Sequence, residues 1–189
     1  AALATGYVAS RWGLRPQPFY LGIGFVAAGL VLSILLVRET RSHAEHEADV
    51  HHAPPASPLS QGRVFLDTSL RDRNLSSISQ AGLVNNLNDG MAWGLFPLFF
   101  AAAGMSLQQI GWLAAIYPAV WGLGQLLTGA WSDRIGRKGL IVGGMWIQAG
   151  GIGVITLSVQ FSGFALGAAL LGAGTAMVYP TLLAAIGDV

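Results

Sequence analysis

Two long uncharged runs constrain this chain more than any other feature. Residues 90 to 132 hold 43 positions without an Asp, Glu, Lys or Arg, and residues 139 to 187 hold 49 more. Between them the stretch GAWSDRIGRKGL, 129 to 140, packs Asp133, Arg134, Arg137 and Lys138 into six positions. A helix rises about 1.5 Å per residue and the hydrocarbon layer of a bilayer is about 30 Å thick, so a crossing takes about 20 apolar residues. Each run is too long for one crossing and holds a break, GMSLQQIG at 104 to 111 and VQFSG at 159 to 163. The expected spans are therefore about 76–103, 107–131, 139–159 and 163–187. Upstream, the 22 uncharged residues from Pro16 to Val37 make another span, and residues 1 to about 12 read as the tail of one more.

Composition agrees with a polytopic membrane helix bundle. The chain is 53% hydrophobic and 10% charged, too little charge to cover a soluble core of this size, where about 25% is usual. The net charge of +1 gives no footing for nucleic acid, and the lack of cysteine excludes disulfides and thiolate metal sites. The chain opens without Met, inside an apolar segment, and has no basic region before it. It reads as a piece of a longer protein rather than as a chain with a signal peptide.

Eight basic residues (Arg38, Arg41, Arg63, Arg71, Arg73, Arg134, Arg137 and Lys138) fall in two connections separated by two spans, hence on one side. Arg11 and Arg15 fall on the other. The positive-inside rule puts the long loop at 38–75 and the Asp133 loop in the cytoplasm of a multi-pass inner (plasma) membrane protein. The first part of the long loop, RETRSHAEHEADVHHAPPASP, has too few large apolar residues to order itself. Its second part, LSQGRVFLDTSLRDRNL, fits a short amphipathic helix on the membrane surface.

Two stripes could carry transport chemistry. Asp89 is the only charge between Arg73 and Asp133 and lies near the middle of its span. A carboxylate at that depth costs a few kcal/mol or more unless it is paired, hydrated or protonated. Asn85, Asn88 and Asp89 share one helix face at i, i+3 and i+4, and Trp93 extends it by a turn. This stripe reads either as a site of solute binding and proton coupling or as a hydrogen-bonded cluster between helices. In the next span Tyr117, Trp121 and Gln125 recur every four residues, and Thr175 and Tyr179 form an i, i+4 pair in the last. These suit a pocket for an organic ligand, or helix packing with an interfacial aromatic. Gln148 is the lone amide of its span, and Pro97, Pro118 and Pro180 each interrupt a helix.

The order Gly129, Asp133, Arg134, Gly136, Arg137, Lys138 is more than an excess of basic residues. It resembles, without departure at those positions, the signature loop of the major facilitator superfamily of secondary transporters. Arg38-Glu39-Thr40 before a long loop resembles the family's midpoint, and TAMVYPTLLAAIGD, 175 to 188, its tenth helix. The resemblance implies a partial major facilitator fold running from the end of helix 5 to helix 10, with most of the N-terminal half missing from this segment. It implies transport of a small solute by alternating access. The Asp133 loop would then be a conformational latch between the two halves. Proton coupling through Asp89 and export of an organic or drug-like compound are the specific expectations. The solute, the lipid bilayer, a proton or other coupling ion and the other half of the same protein are the partners.

All four histidines, His43, His46, His51 and His52, lie in HAEHEADVHH. They allow a weak metal site, and with it a second reading, a non-transporting membrane scaffold or sensor. The bland reading is a solvated linker. No phosphate loop is present, and no histidine sits beside a serine at membrane depth. An enzyme is not expected, and no cofactor is.

Overall fold

The computed structural model describes residues 1–37 and 60–188, whose regular structure is all helix with no strand among them. In chain order the elements are α1 (Ala2–Trp12), α2 (Gln17–Leu36), α3 (Gln61–Leu66), a π-turn (Asp67–Arg71), α4 (Arg73–Gly90), a second π-turn (Met91–Leu95), α5 (Phe96–Ala102), α6 (Leu107–Ile135), α7 (Arg137–Leu157) and α8 (Phe161–Gly187). The histidine-rich segment lies outside the described residues.

Local chemistry sets the helix ends. The Asp72 carboxylate accepts from the Leu75 N–H at 2.8 Å and starts α4. Ser106 and Gln109 cap α6 reciprocally: each side chain accepts from the other's backbone N–H. Gly104, at φ 81°, ends the turn after α5. Gly136 alone separates α6 from α7, and its φ of 94° lies where a side chain would be strained. Asp133 and Arg134 are thus still helical, because Ser132 to Ile135 continue the hydrogen-bond ladder until that glycine.

α2, α6, α7 and α8 are each long and apolar enough to cross a membrane. α4 and α5 run on from one another, interrupted by the second π-turn. Pro97 has no N–H to give the carbonyl four residues back, and the ladder widens to a π-turn over Met91–Leu95 just before it. Such bulges recur at functional sites, and this one directly follows the polar stripe.

α8 is the hub, with α7, α6 and α4 packed around it. α1 lies along α6, whereas α2 touches only α1. Of the α2 residues only Pro18 is buried, and its apolar side chains point outward all round. A helix of that kind needs lipid rather than water around it. Two reciprocal glycine contacts bring α7 and α8 together, Gly144 with Gly174 and Gly151 with Gly167. Both pairs are seven residues apart along each helix, so they lie on one seam. Lipid gives helices no hydrophobic drive to associate, so close backbone packing must do it. A hydrophobic cluster of Phe96, Phe100, Leu113, Ile155, Phe164 and Leu171 closes the bundle. Phe100 and Phe164 meet at 4.9 Å between ring centroids.

Candidate functional site

The polar stripe of α4 meets three other helices. Gln148, buried in the middle of α7, accepts from Asn88 Nδ2 at 2.5 Å and donates from Nε2 to Asn85 Oδ1 at 2.8 Å. Its Nε2 also lies 3.3 Å from Thr175 Oγ1 on α8. Thr175 in turn donates to the Leu171 carbonyl at 3.0 Å. Asn85, Gln148 and Thr175 are almost fully buried, at 1%, 1% and 0% exposure. Each side chain therefore needs partners inside the protein, and each has them. The amide clamp ties α4 to α7 and α8 at the level of the stripe.

Asp89 faces another way. It is half-buried, and its Oδ1 accepts from the hydroxyl of Tyr117, which projects from α6. The same hydroxyl lies 3.3 Å from Thr175 Oγ1. No Lys, Arg or His side chain among the described residues forms an ion pair with Asp89. Around this pair runs a column of aromatic rings. Trp93 meets Tyr117 edge-on at 5.9 Å, Tyr117 stacks on Trp121 at 6.2 Å, and Trp121 meets Tyr179 edge-on at 5.8 Å. The Trp121 indole N–H is buried and has no hydrogen-bond partner among the described residues. Trp93 and Tyr179 are exposed. Pro118 and Pro180 directly follow Tyr117 and Tyr179, and each leaves its helix one backbone hydrogen bond short.

At the end of the bundle where α6 turns into α7, Arg137 gathers three groups. Its Nη1 donates to Asp133 Oδ1 at 2.6 Å and to Ser132 Oγ at 2.5 Å, and its Nε donates to Asp188 Oδ2 at 2.9 Å. Asp188 follows the last residue of α8, so one guanidinium joins the ends of three helices. Arg137 is partly shielded, whereas Asp133 is 69% exposed in its side chain. Arg134 and Lys138 are exposed and make no ion pair with a described carboxylate. Arg73, Arg137 and Lys138 border a cleft of about 730 Å³ between α4, α7 and α8.

The sequence profile of the Major Facilitator Superfamily matches residues 78–189, more than half of the chain. The chain belongs to the major facilitator superfamily. Among curated proteins it is similar to the fosmidomycin resistance protein of Escherichia coli (strain K12), 26% identical over 106 residues. That match covers 56% of this chain and 26% of the relative. It is also similar to the inner membrane transport protein YajR of the same organism, 43% identical over 74 residues, 39% of this chain and 16% of the relative. The chain thus spans about a quarter or less of the curated relatives that it matches. No solved structure matches it. Its long apolar helices fit a multi-pass membrane protein of that family.

Within that family the structure gathers most of the residues singled out from the sequence. Asn85, Asn88, Asp89, Tyr117 and Thr175 belong to one network, and Trp93, Trp121 and Tyr179 line its aromatic side. Gln125 stands apart, exposed and two turns beyond Tyr117. Asp133 and Arg137 meet directly, and Gly136 makes the turn. Gly129 stays inside α6, where its carbonyl accepts from Ser132 Oγ at 2.8 Å. The central member of the network, Gln148, carried one signal in the sequence, an amide alone in an apolar span. Asp188 and Ser132 carried none, because their importance comes from a partner. The histidines proposed as metal ligands lie outside the described residues, and no cluster of potential metal ligands occurs among the described ones.

Proposed function

We propose that the full protein carries out secondary active transport of a small solute by alternating access, driven by the proton gradient. The observation that carries this reading is Asp89. It is a carboxylate at membrane depth, held by one tyrosine hydroxyl and by no cation among the described residues. A carboxylate so placed gains from binding a proton or a cation. A proton taken up there from one side and released to the other would couple solute movement to the gradient.

Asp89, Trp93, Trp121 and Tyr179 form the face that a solute would meet, with Gln125 further along the same α6 stripe. The other half of a major facilitator fold would supply the opposite wall. Asn85, Asn88 and Thr175 act on the solute through this face, since their side chains are buried against Gln148 and each other. Aromatic walls with one acid suit an organic or cationic compound. One relative is named for fosmidomycin resistance, which supports export of such a compound. The Asp133–Arg137–Asp188 cluster is the latch. Its side of the bundle is cytoplasmic by the distribution of basic residues, and its ion pairs hold the closed cytoplasmic face until the halves rock.

The test is reconstitution of the full-length protein in liposomes carrying a pH-sensitive dye. A panel of organic compounds, with fosmidomycin first, is added from outside. A solute of this protein drives proton flux through the wild type and none through Asp89→Asn. Equal flux in both proteins rules out Asp89 as the coupling group.

A further inference from the structure

The Tyr117 hydroxyl has one proton and two acceptors within reach. One is Asp89 Oδ1 on α4, and the other is Thr175 Oγ1 on α8, at 3.3 Å. It can donate to only one of them at a time. Among the described residues, Tyr117–Asp89 is the only side-chain hydrogen bond between α4 and α6. The backbones of α4 and α6 make no close contact, so this bond is a bridge rather than an accessory to packing.

We propose that Tyr117 is a positioning residue that converts the protonation of Asp89 into a change of helix tether. With Asp89 ionised, the phenolic proton points to the carboxylate and α6 is tied to α4. When Asp89 takes up a proton, the carboxylic acid becomes a donor and gives its hydrogen to the Tyr117 oxygen. The phenolic proton then turns to Thr175 Oγ1. One proton enters at Asp89 and none leaves; the Asp89–Tyr117 bond reverses its direction, and the phenolic proton makes a bond to Thr175 instead. Thr175 has room for this. Its oxygen has two lone pairs, one already facing Gln148 Nε2, and its own proton goes to the Leu171 carbonyl. The charge-assisted bond from α6 to α4 is thereby replaced by a weaker neutral one while a bond to α8 is gained, so the balance of tethers on α6 shifts from α4 toward α8, and the signal arrives beside the Gln148 clamp.

The surroundings leave Tyr117 as the group that answers Asp89. Asp67 and Arg71 precede α4 and Asp72 caps it, with Arg73 as its first residue. Arg137 and Lys138 open α7, and Asp188 ends α8. All of these lie at the Asp133 end of the bundle. Tyr179 of α8 packs against Trp121 rather than Asp89. Pro118, next to Tyr117, leaves α6 locally deformable where the tether would pull.

This inference rests on the proton-coupling reading, and one experiment separates the two. Spin labels are placed in pairs at Gln80, Ala130 and Ile186 of the full-length protein in lipid nanodiscs. Distances between α4, α6 and α8 are then measured across pH, with no solute present. Infrared difference spectra, assigned with Asp89→Asn, follow the carboxyl proton in the same samples. In the wild type, protonation of Asp89 is expected to lengthen the α4–α6 distance and shorten the α6–α8 distance. In Tyr117→Phe the carboxyl still titrates, but the linked distance changes are lost. If they persist unchanged in Tyr117→Phe, the relay is overturned and proton coupling stands. If Asp89 keeps one protonation state throughout, proton coupling falls and the relay with it. Thr175→Val gives an independent arm should Tyr117→Phe not fold: it is expected to lose the α6–α8 change, and an unchanged response overturns the relay.

Discussion

Gly151 and Gly167 face each other so closely that a Cβ on either would lie within 3 Å of the other's carbonyl oxygen. Neighbouring Gly150 has open space where a Cβ would go. Gly151→Ala should therefore push α7 from α8 and destabilise the protein by about 1–3 kcal/mol, the usual cost of overpacking. Gly150→Ala should leave stability unchanged or raise it. Thermal unfolding of both variants of the full-length protein in one detergent checks the contrast. Equal midpoints would refute the close-packed seam.

Gln148 offers a second test. Gln148→Leu strands the Asn85 carbonyl and the Asn88 amide, both buried. At about 1–3 kcal/mol for each unsatisfied group, the loss should be roughly 2–6 kcal/mol. The triple variant with Asn85→Leu and Asn88→Leu should recover part of that stability, because no polar group is left without a partner. A triple variant less stable than Gln148→Leu would mean that the amides contribute beyond mutual satisfaction.

At the α6–α7 turn, Asp133→Asn and Asp188→Asn each remove one of the two carboxylates on Arg137. Both are exposed, so little effect on folding is expected. Transport should fall while solute binding is retained, since the change acts on the balance of conformations. Single labels introduced near the turn, into a segment that has no cysteine of its own, should react faster in either variant. Normal transport by Asp133→Asn would retire the latch.

Trp121 presents a buried N–H with no partner among the described residues. Such a donor costs stability in the empty protein, and the cost is recovered if a solute supplies an acceptor. Trp121→Phe should match or exceed the wild type in thermal stability and bind solute more weakly. Weaker folding with unchanged binding would assign the indole to packing alone.

Much of this was legible beforehand, for definite reasons. Membrane spans write themselves in runs of uncharged residues, as at 90 to 132 and 139 to 187, because lipid tolerates little else. The α6–α7 connection was legible from Gly136 and its charged neighbours. The α4 stripe was legible because i, i+3 and i+4 fix one face whatever surrounds it. What stayed hidden depends on pairing over long distances. Nothing local distinguishes Gly151 from Gly150, although one touches α8 and the other does not. Gln148 answers residues about 60 positions away, and Asp188 meets an arginine 51 positions back. The π-turn at Met91–Leu95 was foreshadowed only by Pro97.

A single residue between α6 and α7 also bears on how the protein is made. With Gly136 alone at the bend, neither helix has spare chain with which to wait for the other. The two are therefore held as a hairpin from the moment both are made, with their polar tip at one face of the membrane. A bulky β-branched residue at position 136 would then act before any transport begins, by lowering the amount of protein that reaches the membrane.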